Sequence, residues 1–194
     1  MSGFEYLIAL VSVVAGIGLT RALSGLAKVV HMRNEVRFSD VHLAWTASLL
    51  SWLIGYWWFT FLLASVDGWT IPLFVFVLIY GALIYFLIAL LYPDDLRSGV
   101  SLFEHFVASR RWFFGTFICL GAMEVADTWI KFQFGVAPPP LAFYSVFIAA
   151  WFLVGIFGFT TANLRFQRII AYSWFFVVFS FVAFFISETL IGAD

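Results

Sequence analysis

The sequence predicts an all-α integral membrane bundle of six transmembrane helices, and two observations carry that expectation. Six long apolar runs, divided by short loops, account for nearly all of the 194 residues, and a helix needs about 20 apolar residues to cross a bilayer. The composition agrees, with 64% hydrophobic residues, 11% charged residues and a mean hydropathy of +1.04. An average soluble domain carries roughly 25% charged residues, so a water-soluble core is excluded.

The runs are read at 4–30, 41–64, 71–92, 112–132, 141–161 and 169–191. No basic residue precedes the first, and it is too long for the core of a cleavable signal, so it is expected to remain as a span. Asp40 stands where its carboxylate can cap the second helix. Gly68 suits the turn before the third run, which Pro93 follows. Pro138, Pro139 and Pro140 precede the fifth, where a missing N–H costs nothing. Residues 94–110 are too polar to cross. Within them Ser101 and Glu104 have capping-box spacing, and Leu102, Phe103, Phe106 and Val107 form one apolar face. These features predict a short amphipathic helix lying on the membrane surface.

Eight basic residues (Lys28, Arg33, Arg37, Arg97, Arg110, Arg111, Arg165 and Arg168) fall on one side of this threading, against Lys131 alone on the other. By the positive-inside rule the eight face the cytoplasm, which puts both termini on the non-cytoplasmic side of the cell inner membrane. Arg21 lies within the first span, close enough to that side to reach the headgroups.

One membrane domain, 1–194, is expected, with an internal relationship between residues 1–93 and 111–194. Leu53-Ile54-Gly55 and Phe59-Thr60 recur one hundred residues later as Leu153-Val154-Gly155 and Phe159-Thr160. Three spans per half would make the second copy inverted, a construction common in transporters, with the site near the midplane where the halves meet. Ser12, Gly16, Thr20 and Ser24 on the first span form a small-residue stripe, as do Gly115, Cys119, Ala122 and Ala126 on the fourth. Both suit close helix packing.

Candidate functional residues concentrate on the fourth span. Glu124, Asp127, Thr128 and Lys131 stand at i, i+3, i+4 and i+7 and share one helix face. Counting from Trp112 at ~1.5 Å per residue puts Glu124 roughly 18 Å into the membrane. A charge near the bilayer centre costs ~2.5–3.5 kcal/mol on insertion scales, so such a residue normally faces a bundle interior or a wet cavity. Asp127 and Lys131 can pair with each other, which leaves Glu124 as the main candidate for a proton or cation site. Glu5 and Glu188 fall at the outer level and could add to an acidic vestibule. Trp52 and Trp151 fall mid-span, where an indole N–H needs an acceptor, and are read as walls of a cavity.

His31, His42 and His105 all belong to the basic side, where imidazoles can bind a metal or haem iron. Their spacing and the lone Cys119 give no metal motif, so no cofactor and no metal site is expected. No catalytic motif is present either, and a net charge of −1 argues against a nucleic-acid partner. The expected partners are the lipid bilayer, a small ion or solute, and further copies of the chain or another membrane protein.

Phe38-Ser39-Asp40, Ala44 and Ser48-Leu49-Leu50 resemble the FSDxxxAxxx(S/T)LL opening of the bacterial relatives of the lysosomal potassium channel, which also have six spans. That resemblance implies cation conduction. It departs from the family in two ways: the motif opens the second span here, and Trp45 stands where an aliphatic constriction residue is expected. The two function classes carried forward are an ion or solute conductor and a structural or accessory membrane subunit.

Overall fold

The computed structural model describes residues 3–66, 68–93, 95–140 and 142–191, with side chains described as far as Phe184. It is all-helical: α1 (Gly3–His31), α2 (Asp40–Thr60), α3 (Ile71–Leu91), α4 (Leu102–Gln133), α5 (Ala142–Thr160) and α6 (Leu164–Ile191), with a short 3-10 turn, Phe61–Ser65, continuing α2. All six are long and apolar enough to cross a membrane. The described residues therefore fit a multi-pass membrane protein.

The helices form an open ring around α2, which touches α1, α3, α4 and α6, while α1 lies along α3, α3 along α4 and α4 along α5. Packing between apolar helices in lipid comes from dispersion and close approach rather than from exclusion of water. Here large rings interlock edge to face, as Trp45 with Phe113 at 4.9 Å and Trp151 with Trp174 at 5.0 Å. Glycine makes room for them. A Cβ on Gly121 would lie 2.9 Å from the Trp151 indole, and one on Gly81 would lie 2.9 Å from the Tyr56 hydroxyl.

The chain departs from the sequence reading in four places. The surface helix expected in 94–110 is not separate. Residues 102–110 are the first turns of α4, which runs unbroken to Gln133 because no Gly or Pro interrupts 103–114. Ser101 does cap it, its hydroxyl accepting the Glu104 N–H at 3.3 Å, but Leu102 and Phe106 turn into the bundle and are fully buried.

At α2 the capping position belongs to Ser39, and Asp40 is the first helical residue. Its carboxylate accepts the Val41 N–H and pairs with Arg168 at 2.6 Å.

Helix α6 starts at Leu164, five residues before the expected run, because the Asn163 side chain accepts the Arg165 and Phe166 N–H groups. The buried Gln167 amide then donates to the Gly158 and Thr161 carbonyls, closing the end of α5.

Both small-residue stripes lie largely on the outside of the bundle, although Ser12 accepts the Trp57 indole N–H at 3.1 Å. Gly16, Thr20 and Ser24 line an outer groove with Tyr85, Cys119 and Ala122 are exposed, and a Cβ on Gly16 or Gly115 would meet nothing within 4 Å. The close approaches fall instead at Gly25, Gly81, Gly121, Gly155 and Gly158.

At the basic end, the loops after α1 and after α3 are joined by backbone hydrogen bonds: Gly99 N–H to Glu35 O at 2.8 Å, Arg37 N–H to Val100 O at 3.0 Å, and Leu102 N–H to Arg37 O at 3.2 Å.

Candidate functional site

One group of buried polar residues lies where α2, α3 and α4 meet, away from the basic end, and another, with His42 and Thr46, lies toward that end. Glu124 is buried in the first group. The Tyr80 hydroxyl of α3 donates to its Oε2 at 2.6 Å, and Thr128, one turn along α4, donates a longer bond of 3.4 Å to Oε1. Tyr80 in turn accepts the Trp52 indole N–H at 3.1 Å. Three helices thus contribute to one chain of hydrogen bonds.

Tyr56 stacks on Tyr80, with ring centroids 5.0 Å apart, and gives its hydroxyl hydrogen to the Val77 carbonyl. From α5, the Tyr144 hydroxyl reaches the Glu124 backbone carbonyl at 3.3 Å. One turn beyond Glu124, Asp127 and Lys131 form an ion pair with side chains only 15% and 8% exposed. An ion pair removed from water is tolerated where its geometry is close and each charge is satisfied.

The face predicted from spacing is therefore real. Glu124, Asp127, Thr128 and Lys131 are brought together, and Glu124 and Lys131 are buried. Glu124, Asp127 and Lys131, with Trp52, Tyr56, Thr60, Val77 and Tyr80, border a narrow cleft, whose free space is ≈ 10 Å³ measured at the centre of a water molecule. That is room for about one water.

Other expected site residues fall elsewhere. Trp52 borders the cleft, but Trp151 does not. It meets Trp52 edge to face at 4.9 Å and donates to the Phe117 carbonyl at 2.9 Å. Toward the basic end, Trp45, Phe113, Phe114, Phe117, Trp151 and Trp174 are all buried in mutual contact and form an aromatic layer. Trp45 of the channel-like motif lies within this layer, and Ser48 of that motif bonds back to the Ala44 carbonyl at 2.8 Å. Glu5 is exposed at the start of α1, away from the cleft. Glu188 lies beyond the described side chains.

The histidines divide. His31 is exposed and bonds the Ala27 carbonyl, whereas His42 is buried between the Tyr92 and Phe106 rings. Among the described residues, no three His, Cys, Asp or Glu side chains are grouped to hold a metal ion.

Tyr80 was not foreseen as a partner of Glu124. The signal was present: Tyr80 is a hydroxyl-bearing residue in the middle of the most apolar run, followed directly by Gly81. Set beside known proteins, the chain matches no family, no curated protein and no solved structure. The class is defined by the fold alone, a six-helix bundle suited to a multi-pass membrane protein.

Proposed function

We propose that this chain is a small inner-membrane protein that transports a small ion or solute, with Glu124 as its cation or proton site. The observation that carries the reading is the division of labour on α4. Lys131 is taken by Asp127, so Glu124 is left deep in the bundle with hydroxyl donors as its hydrogen-bond partners. An acidic side chain kept inside a membrane without its own base is expensive and normally functional.

The closed aromatic layer beside the site fits a protein that exposes the site to one side at a time better than an open pore. The eight-to-one distribution of basic residues supports an orientation with both termini outside the cytoplasm. Tyr80 and Glu124 come from opposite halves of the chain, as a site between inverted repeats would require. The packing of the halves differs, however: Gly55 meets Val182 of α6, while Gly155 meets Ile118 of α4.

A second reading has its own support. Room for about one water suits a dry polar staple in an accessory subunit, whose exposed small-residue stripes would receive a partner helix or another copy.

Reconstitution in liposomes separates the two. Transport predicts flux that Glu124→Gln abolishes while the protein remains helical and monodisperse. An inert wild-type protein that co-purifies with a stoichiometric membrane partner would replace transport with the subunit reading.

A further inference from the structure

We infer that the species taken up by Glu124 is a proton and not a metal cation; this rests on the transport reading above and narrows it. Among the described residues at the cleft, Asp127 and Lys131 balance each other, so Glu124 brings the one unbalanced charge. A single positive charge neutralises the cluster, and a proton and an alkali ion would each supply it. The ligand geometry distinguishes them.

An oxygen-seeking cation takes about six or more oxygen ligands, several from the protein. Here the groups that meet the Glu124 carboxylate are hydrogen donors: Tyr80 at Oε2 and Thr128 at Oε1. The nearest second carboxylate, Asp127, already holds the Lys131 ammonium, and that ammonium repels any further cation. Tyr56 turns its hydroxyl hydrogen to Val77, and Thr60 turns its own to the Tyr56 carbonyl at 2.7 Å. Tyr144, the remaining ionisable group facing Glu124 among the described side chains, points its hydroxyl at the backbone carbonyl.

A proton needs only one lone pair. Oε1 has it, because a carboxylate oxygen offers two and Thr128 takes one. In the transfer, a hydronium in the cleft gives its proton to Oε1 and leaves as water. The carboxylate becomes a carboxylic acid, and Oε2 keeps the Tyr80 hydrogen bond. Room for about one water is enough for this exchange.

The test reads Glu124 directly. Full-length protein in liposomes is followed by infrared difference spectroscopy of the carboxylic C=O stretch during a pH change. The buffers contain potassium, sodium or N-methylglucamine as the cation. The expected result is one band that titrates alike in all three salts, is lost in Glu124→Gln and survives in Glu104→Gln, which removes an exposed carboxylate at the start of α4. Glu124→Asp, which keeps a carboxyl group, is expected to retain a shifted band, so loss of signal is distinguished from loss of fold.

A titration displaced by sodium or potassium overturns the proton assignment, as does a band that survives Glu124→Gln. Rubidium uptake that Glu124→Gln abolishes would overturn the proton assignment while upholding transport. A titrating Glu124 band in vesicles that pass neither protons nor rubidium would do the reverse.

Discussion

The Tyr80 hydroxyl meets Glu124 Oε2 at 2.6 Å, in the short range of charge-assisted hydrogen bonds, and this contact joins the two halves of the chain. The same oxygen of Tyr80 accepts the Trp52 N–H, so one phenol satisfies two buried groups on two other helices. An intramembrane carboxylate is thereby fixed by a side chain that carries no charge.

Tyr80→Phe removes one oxygen and leaves both Glu124 Oε2 and the Trp52 N–H without that partner. An unmet buried polar group costs ~1–3 kcal/mol, so the variant is expected to unfold at clearly lower temperature in detergent. Tyr6→Phe, at an exposed position on α1, should leave the midpoint unchanged. Equal midpoints for the two variants would show that the Tyr80 bonds contribute nothing to stability.

Lys131→Met keeps the length of the side chain and strands the Asp127 carboxylate beside Glu124. Breaking a buried pair on one side only costs about 3–5 kcal/mol in soluble proteins. The double variant Asp127→Asn/Lys131→Met should recover most of the loss, since no stranded partner of the pair remains. Thermal melts of the two single variants and the double variant in detergent measure this coupling directly. Additive effects would mean that the pair is not coupled.

Gly121→Ala places a methyl group 2.9 Å from the Trp151 indole, which cannot swing away freely because its N–H is bonded to the Phe117 carbonyl. Overpacking of this kind costs ~1–3 kcal/mol. Gly16→Ala meets open space and should be neutral or slightly stabilising in the isolated protein. A comparison of their melting temperatures checks both statements together.

The helices and the acidic face of α4 were legible because each depends on local spacing: apolar length for the spans, and i, i+3, i+4, i+7 for Glu124, Asp127, Thr128 and Lys131. What lay across from that face was not legible. The rotation of α3 that brings Tyr80 to Glu124 is set by side-chain packing among three helices, including the closeness allowed at Gly81. The small-residue stripes misled for a related reason. Spacing marks a face that can approach another helix, but not whether this chain supplies that helix. The amphipathic face of 102–107 was read correctly as apolar and wrongly as a separate surface element, because Ser109, Arg110 and Arg111 interrupt the apolar run while the lack of Gly and Pro lets the helix continue. Gln167 escaped notice because capping of a neighbouring helix depends on a loop conformation.

The backbone clip between Glu35–Arg37 and Gly99–Leu102 has a mechanical consequence. It fastens the hairpin of the first two helices to that of the third and fourth, so those four helices share a rigid floor at the basic end. The last pair stands outside this bracket. It is held by packing instead, with Trp151 and Trp174 buried against Phe117 in the aromatic layer, and the partly exposed pair of Asp40 and Arg168 adds a surface contact. Cutting the clip should therefore loosen the first four helices at that end and leave the last pair seated on its aromatic packing.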